Sequence, residues 1–346
     1  MKIAIVGDAH FGARNSNQTI EQWQRRFYEE FFWPKMDEMG IKTIIQTGDY
    51  FDNRKWINLQ TMAFQKEVFV KQAQKREVST YVIVGNHDIP LRHSLANSSV
   101  EQILGDEEFF CVVTKPVVEE FADRKVTLMP WICKENEEES LALLRKGSDI
   151  VLGHFEVTGF LMHPGAIAHD GLSMSDFKGW NKVWSGHYHA QSENGNIHYV
   201  GTPYQMTWND STTKHGFWVY DTTDDSMTFF ENPFRFFNRF IWEDGCDADL
   251  TNLKNSYVKI NVKKKTDFEA FEKFIDKINF GAPFEVKITE SFEEFSGDNV
   301  SDLIEIHSTE ELIAEYVEDV ASTNKDAIKN LLLEIYNEAL TVSEND

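Results

Sequence analysis

Nine polar residues share one local setting: Asp8 and His10 in DAH, Asp49 and Asp52 in GDYFD, Asn86 and His87 in GNHD, His154 in GHF, and His187 and His189 in GHYH. All offer nitrogen or oxygen and none offers a thiolate, a mixture that suits manganese, iron or zinc better than calcium. An isolated His-x-His pair is more often a surface or hydrogen-bonded feature, and a satisfied core histidine is the ordinary reading of any single member. Five of the eleven histidines in equivalent positions fit that reading poorly. The donors are too many for one ion but divide over two if a carboxylate bridges them. Two ions about 3.5–4 Å apart form a clamp for in-line attack on phosphorus, activating a shared water and offsetting transition-state charge.

Each member follows a short β-rich apolar run, usually closed by glycine: IAIVGDAH (3–10), TIIQTGDYFD (43–52), TYVIVGNHD (80–88), DIVLGHFE (149–156) and VWSGHYH (183–189), with IHYVGTP (197–203) in the same form. Runs without polar alternation imply strands covered on both faces. Helix-like segments at 21–32 and 59–74 separate the first three, which suggests parallel pairing with crossovers. In such sheets ligands collect at the carboxyl ends of strands, so the glycines mark the rim of a site. Side chains two apart share a face of a strand, which would aim His187 and His189 together, and Asp8 with His10.

After the aromatic run FFENPFRFFNRFIW (229–242), read as packing between domains, the pattern changes. SYVKINVKKK (256–265) reads as a strand. A helix follows, opened by a capping box at Thr266, Asp267 and Glu269, with Phe268, Phe271, Phe274, Ile275 and Ile278 as its apolar stripe. PFEVKITE (283–290) returns as a strand. Beyond it, Ser308–Glu311 caps one amphipathic helix and a second begins near Lys325, either packed on one another or laid into a partner's groove. The expected domains are 1–232, 233–292 and 293–346.

The formal charge is −23, and residues 291–346 hold 15 Asp and Glu against Lys325 and Lys329, more than half of the excess. Polyanion binding by the remainder is weakened without being excluded, since bound cations change the local field. The five-residue apolar run before Gly7 is too short for a signal-peptide core or a membrane span, so a cytoplasmic chain with no membrane partner is expected. Cys111, Cys133 and Cys246 form no CxxC pair and read as reduced, buried small hydrophobes.

DAH, GDYFD, GNHD, GHF and GHYH, in that order, resemble the calcineurin-like metallophosphoesterases, whose pattern is D-x-H, G-D-x-x-D, G-N-H-D/E, H and G-H-x-H. The resemblance implies an α/β fold of two packed β-sheets flanked by helices. It implies one metal on Asp8, His10, Asp49 and His189 and another on Asp49, Asn86, His154 and His187. His87 would be the catalytic histidine, its ring oriented by Asp88 or another nearby carboxylate, and Asp52 would support the site from behind. Manganese is the first expectation for both ions and magnesium the second. Protein Ser/Thr phosphatases share G-D-x-x-D but use GNHE and a lone terminal histidine. The GHYH form, the small β-α-β cap domain and the acidic helical hairpin are similar instead to the SbcD-type recombination nucleases, most of all those encoded by T-even-like bacteriophages.

That likeness spans the chain, most strongly over 1–205. It implies exonuclease and endonuclease action on DNA in recombination and double-strand-break repair, a homodimer formed through 21–38 or 59–74, and an SMC-like coiled-coil ATPase gripped by the C-terminal helices. Arg54, Lys55 and Arg92 directly follow the metal motifs and are candidate phosphate contacts, set against the plain reading of solvated charges. Two rivals stand beside the nuclease: a phosphatase or small-molecule phosphodiesterase of the same superfamily, and a scaffold that keeps the fold without catalysis. A scaffold should have lost ligands or the catalytic histidine, and none is missing.

Overall fold

The uninterrupted apolar runs become buried strands, as in Thr43–Gln46, where all four residues are inaccessible. The computed structural model describes residues 1–163 and 166–290; the expected C-terminal helices lie outside them. Nine strands span the first 167 residues: β1 (Lys2–Val6), β2 (Thr43–Gln46), β3 (Ser79–Ile83), β4 (Phe110–Val113), β5 (Val117–Phe121), β6 (Arg124–Met129), β7 (Ile150–His154), β8 (Leu161–His163) and β9 (Ala166–Ile167). Eight follow: β10 (Lys182–Gly186), β11 (Ser192–Asn194), β12 (Ile197–Tyr199), β13 (Gly216–Asp221), β14 (Ser226–Glu231), β15 (Phe237–Glu243), β16 (Tyr257–Lys264) and β17 (Glu285–Glu290).

Two six-stranded sheets carry the site, in the orders β14-β13-β1-β2-β3-β4 and β11-β12-β10-β7-β6-β5. In the first, β1 to β4 run parallel and β13 and β14 are antiparallel additions. In the second, β6, β7, β10 and β12 are parallel. Ile3, Ile5, Ile45 and Ile83 of one sheet meet Val126, Leu128, Ile150, Leu152 and Trp184 of the other in a dry layer. Each sheet therefore has a core on both faces, as its uninterrupted apolar runs require.

The crossovers are helical. Helix α1 comprises Gln18–Arg26, a π-helical stretch Phe27–Phe32, and Trp33–Met39. Asn17 caps it by accepting the Thr19 and Ile20 N–H groups at 2.9 and 3.2 Å, and Gly40, at φ 63°, ends it in the left-handed region. Helix α2 repeats the design: Leu59–Gln65, π-helical Lys66–Val70 and Lys71–Lys75, capped by Asn58. The wider π-turns bring Phe27, Tyr28 and Phe32, and Val68, Phe69 and Val70, all into the core. The Trp33 indole N–H donates to the Val68 carbonyl at 2.8 Å, fastening one helix to the other.

Shorter helices α3 (Ser99–Leu104) and α4 (Glu137–Lys146) follow, and α5 (Phe268–Phe280) covers one face of a three-stranded parallel sheet, β15-β16-β17. Its stripe is Phe271, Phe274 and Ile278 against Trp242, Val258, Ile260 and Val262. Phe268, expected in that stripe, is 65% exposed because the helix begins there, before the first turn meets the sheet. Asp267 alone supplies the side-chain cap, accepting the Ala270 N–H at 2.9 Å. Phe236 and Phe237 pack with Tyr257 against Ile20 and Trp23 of α1. Cys133 is buried as expected, but Cys111 is exposed on β4, the edge strand of its sheet, and Cys246 is only half-buried.

Candidate metal centre

Turns leaving β1, β2, β3, β7 and β10 all open at one place. The β1 and β2 turns run side by side: the His10 N–H donates to the Asp49 carbonyl at 3.0 Å and the Phe11 N–H to Tyr50 at 2.8 Å. Two glycines allow the approach. A Cβ on Gly48 would lie 2.3 Å from His154 Nδ1, and one on Gly186 would lie 2.5 Å from Asp8 Oδ1. Three of the expected ligands adopt left-handed backbone, His10 at φ 44°, Asp49 at 50° and His187 at 90°. Strain of this kind survives where surrounding contacts over-determine the conformation.

All seven expected ligands converge. Potential ligand atoms lie within 4.8 Å of one another in three groups: Asp8, His10 and His189; His10, Asp49 and His87; and Asp49, His154 and His187. Asp49 is common to two of them. Asn86 completes the set, its Oδ1 lying 2.9 Å from His154 Nε2 and 3.1 Å from His187 Nδ1.

These residues fit cations on physical grounds. The His154 Nδ1 sits 2.9 Å from the Thr47 carbonyl, which can only accept, so Nδ1 carries hydrogen. Its Nε2 then faces two oxygens, those of Asn86 and of Asp49, the latter at 3.3 Å. Lone pairs so opposed need a proton or a metal between them. Both ring nitrogens of His10 are buried without a hydrogen bond of good geometry. Burial pushes the Asp8 carboxyl up to about 7, Asp49 reinforcing this and His154 opposing it. Burial also resists charging His10 and His154, yet the neighbouring carboxylates outweigh it and carry both to about 9. His187 falls to about 3 and His189 to about 4, each through burial beside another histidine.

His87 lies at the mouth of this cluster, with its ring centroid 5.0 Å from that of His10. Its Nδ1 is 2.6 Å from the Asp52 backbone carbonyl, which fixes hydrogen there and leaves Nε2 as the nitrogen available for chemistry. The expectation that Asp88 or another nearby carboxylate orients this ring is therefore corrected: a backbone carbonyl does so. The Asp88 carboxylate is fully buried and accepts N–H groups from Gly85, Tyr50 and Phe51 at 2.9, 3.3 and 3.0 Å, tying the GNHD turn to the GDYFD turn. The Asp52 side chain stands behind His10, with Oδ1 3.2 Å from Nδ1.

Of the expected phosphate contacts, Arg54 is half-buried, and burial followed by the neighbouring Arg92 guanidinium lowers its pKa. Arg92 and Lys55 are exposed. Two residues escaped the sequence analysis. Thr47 gives only a backbone carbonyl, which no side-chain pattern can reveal. Trp131 follows β6 by the same strand-end rule, but proline rather than glycine precedes it; its indole lies 5.3 Å from the His187 ring and 5.8 Å from His154.

A model of the calcineurin-like phosphoesterases matches residues 1–191, the span that contains DAH, GDYFD, GNHD, GHF and GHYH. The chain belongs to that family. Its members use divalent metals, in keeping with the cluster. Exonuclease subunit 1 of Enterobacteria phage T4 is 30% identical over 344 residues, covering 98% of this chain and 99% of that protein. Two solved structures are more distant. An archaeal phosphodiesterase is 11% identical with a TM-score of 0.33, over 67% of this chain and 100% of its own. GAP50, the anchor in the inner membrane complex of Plasmodium, is 13% identical with a TM-score of 0.40, over 64% and 80%. Among the described residues no helix is long and apolar enough to cross a membrane.

Proposed function

We propose that this phosphoesterase is the nuclease subunit of a DNA end-processing complex, cutting phosphodiesters with two divalent ions, manganese in the first instance. The observation that carries the reading is the chain of three overlapping ligand groups, in which His10, Asp49 and His87 form the group that links Asp8 and His189 to His154 and His187, in a chain related along its whole length to an exonuclease subunit. One ion would rest on Asp8, His10, Asp49 and His189, the other on Asp49, Asn86, His154 and His187. When bound, the ions supply Lewis-acid polarisation and a nucleophile at neutral pH. With Nδ1 committed to Asp52, His87 turns Nε2 toward the departing oxygen and gives it a proton. Arg54 and Arg92, adjacent cations with no ion pair to any described residue, would receive flanking phosphates.

A second basic feature supports a polyanionic substrate. Arg239, Lys259 and Lys287 stand at one level on β15, β16 and β17, on the sheet face away from α5. Like charges on neighbouring strands repel unless an anion joins them. None forms an ion pair with a described residue, and Lys259 lies 5.5 Å over the Trp208 ring. Lys259, Lys287 and Arg14 line one groove, with Glu285 as its carboxylate. Residues 233–292 would thus act as a cap that guides DNA, while 293–346 hold an SMC-like ATPase and the core helices pair two copies. Manganese content and hydrolysis should be measured on one preparation, with labelled duplex DNA beside p-nitrophenyl phosphate. Two equivalents of metal with DNA cleavage are expected; turnover of the small ester alone would defeat the nuclease reading.

A further inference from the structure

A cleft of about 510 Å3 opens beside the metal centre, and His154 forms part of its wall. Trp131 forms another part, its indole in contact with the rings of His154 and His187. Ile132 and Leu172 add apolar surface, and Lys134, Glu137 and Glu156 are its charged groups. The platform is firmly held: the Trp131 N–H donates to the Val84 carbonyl at 2.8 Å, and the Asn136 side chain donates to the Trp131 carbonyl at 3.1 Å. Asn136 also accepts the Cys133 N–H at 2.7 Å, which closes the turn.

Two carboxylates against one ammonium make this a poor seat for a phosphate. An aromatic wall, apolar surface and carboxylate acceptors suit a flat, neutral group bearing N–H donors. Resting on the nuclease reading above, we propose that the cleft takes the unstacked nucleobase next to the scissile phosphodiester, stacked on Trp131. The base leaves the duplex to enter, so cleavage favours ends that fray. Glu137 and Glu156 accept from exocyclic amino groups, which adenine, cytosine and guanine carry and thymine lacks.

The test crosses Trp131→Ala with abasic substrates in the full chain. Blunt duplexes carry an abasic residue in turn at the last and last-but-one position of each strand end. On intact DNA the variant should lose about tenfold or more in kcat/KM. On the duplex whose missing base is the one the cleft receives, native and variant chains should cleave alike, and Trp131→Phe should restore most of the rate on intact DNA. An equal loss on intact and abasic DNA would overturn the proposal, leaving Trp131 as a prop for the histidines, as would unchanged cleavage of every substrate. Failure of the native chain to cut any duplex removes the nuclease reading, and the base subsite with it.

Discussion

His87 and Asp88 are neighbours with separable duties, and their variants should fail differently. His87→Ala removes the proposed proton donor while leaving every proposed ligand in place. We expect manganese stoichiometry to be kept and DNA cleavage to fall by roughly 10²–10⁴-fold, as for loss of a general acid; an active variant would take His87 out of the reaction. Asp88→Ala instead strips the acceptor from three N–H groups, those of Gly85, Tyr50 and Phe51. Leaving buried donors unmade costs about 1–3 kcal/mol each, so urea unfolding should show a loss of at least about 3 kcal/mol, together with poorer metal retention. The ligand types and their two-residue spacings were legible in the sequence. The Asp88 role was not, because its partners are backbone groups, two of them 37 and 38 residues away, and the hand-off of His87 to the Asp52 carbonyl was hidden for the same reason.

Elements were legible wherever local pattern and tertiary setting agree. Apolar runs closed by glycine became β1, β2, β3, β7 and β10, and the stretches between the first three became α1 and α2. The antiparallel strands β13 and β14 were not foreseen, and β15 was concealed because FNRFIW reads equally as aromatic packing and as an extended strand. Nor does any spacing rule announce the left-handed turn ahead of α1, where Arg14, Asn15 and Ser16 have φ of 51°, 56° and 57°. Contacts hold it there: Ser16 Oγ meets Thr61 Oγ1 at 2.6 Å and accepts from Asn58 Nδ2 at 2.6 Å. Asn15 is exposed, so Asn15→Gly removes the side-chain penalty of this conformation without removing packing. A gain of about 1 kcal/mol is expected, read as a melting temperature higher by roughly 2–4 °C; a lower melting temperature would mean that the turn is unstrained.

At the scale of the molecule, charge is the feature most at odds with a nucleic-acid substrate. With a formal charge of −23, the chain alone should hold DNA weakly and release it as salt rises, while cutting remains governed by the local cations around Arg54 and along the cap sheet. Ending the chain after Val300 removes most of the acidic segment. Such a protein should keep basal hydrolysis and lose co-purification with a coiled-coil ATPase; a retained complex would place the docking surface elsewhere. The crowding at the strand ends has one more consequence. His10, Asp49 and His187 occupy backbone that glycine would adopt more readily, and Asp8 and Asp49 are buried side by side. Without its ions the fold is therefore opposed by its own machinery. Laboratory evolution toward heat resistance in chelator would drift to inert enzymes, whereas the same selection in manganese would keep the chemistry intact.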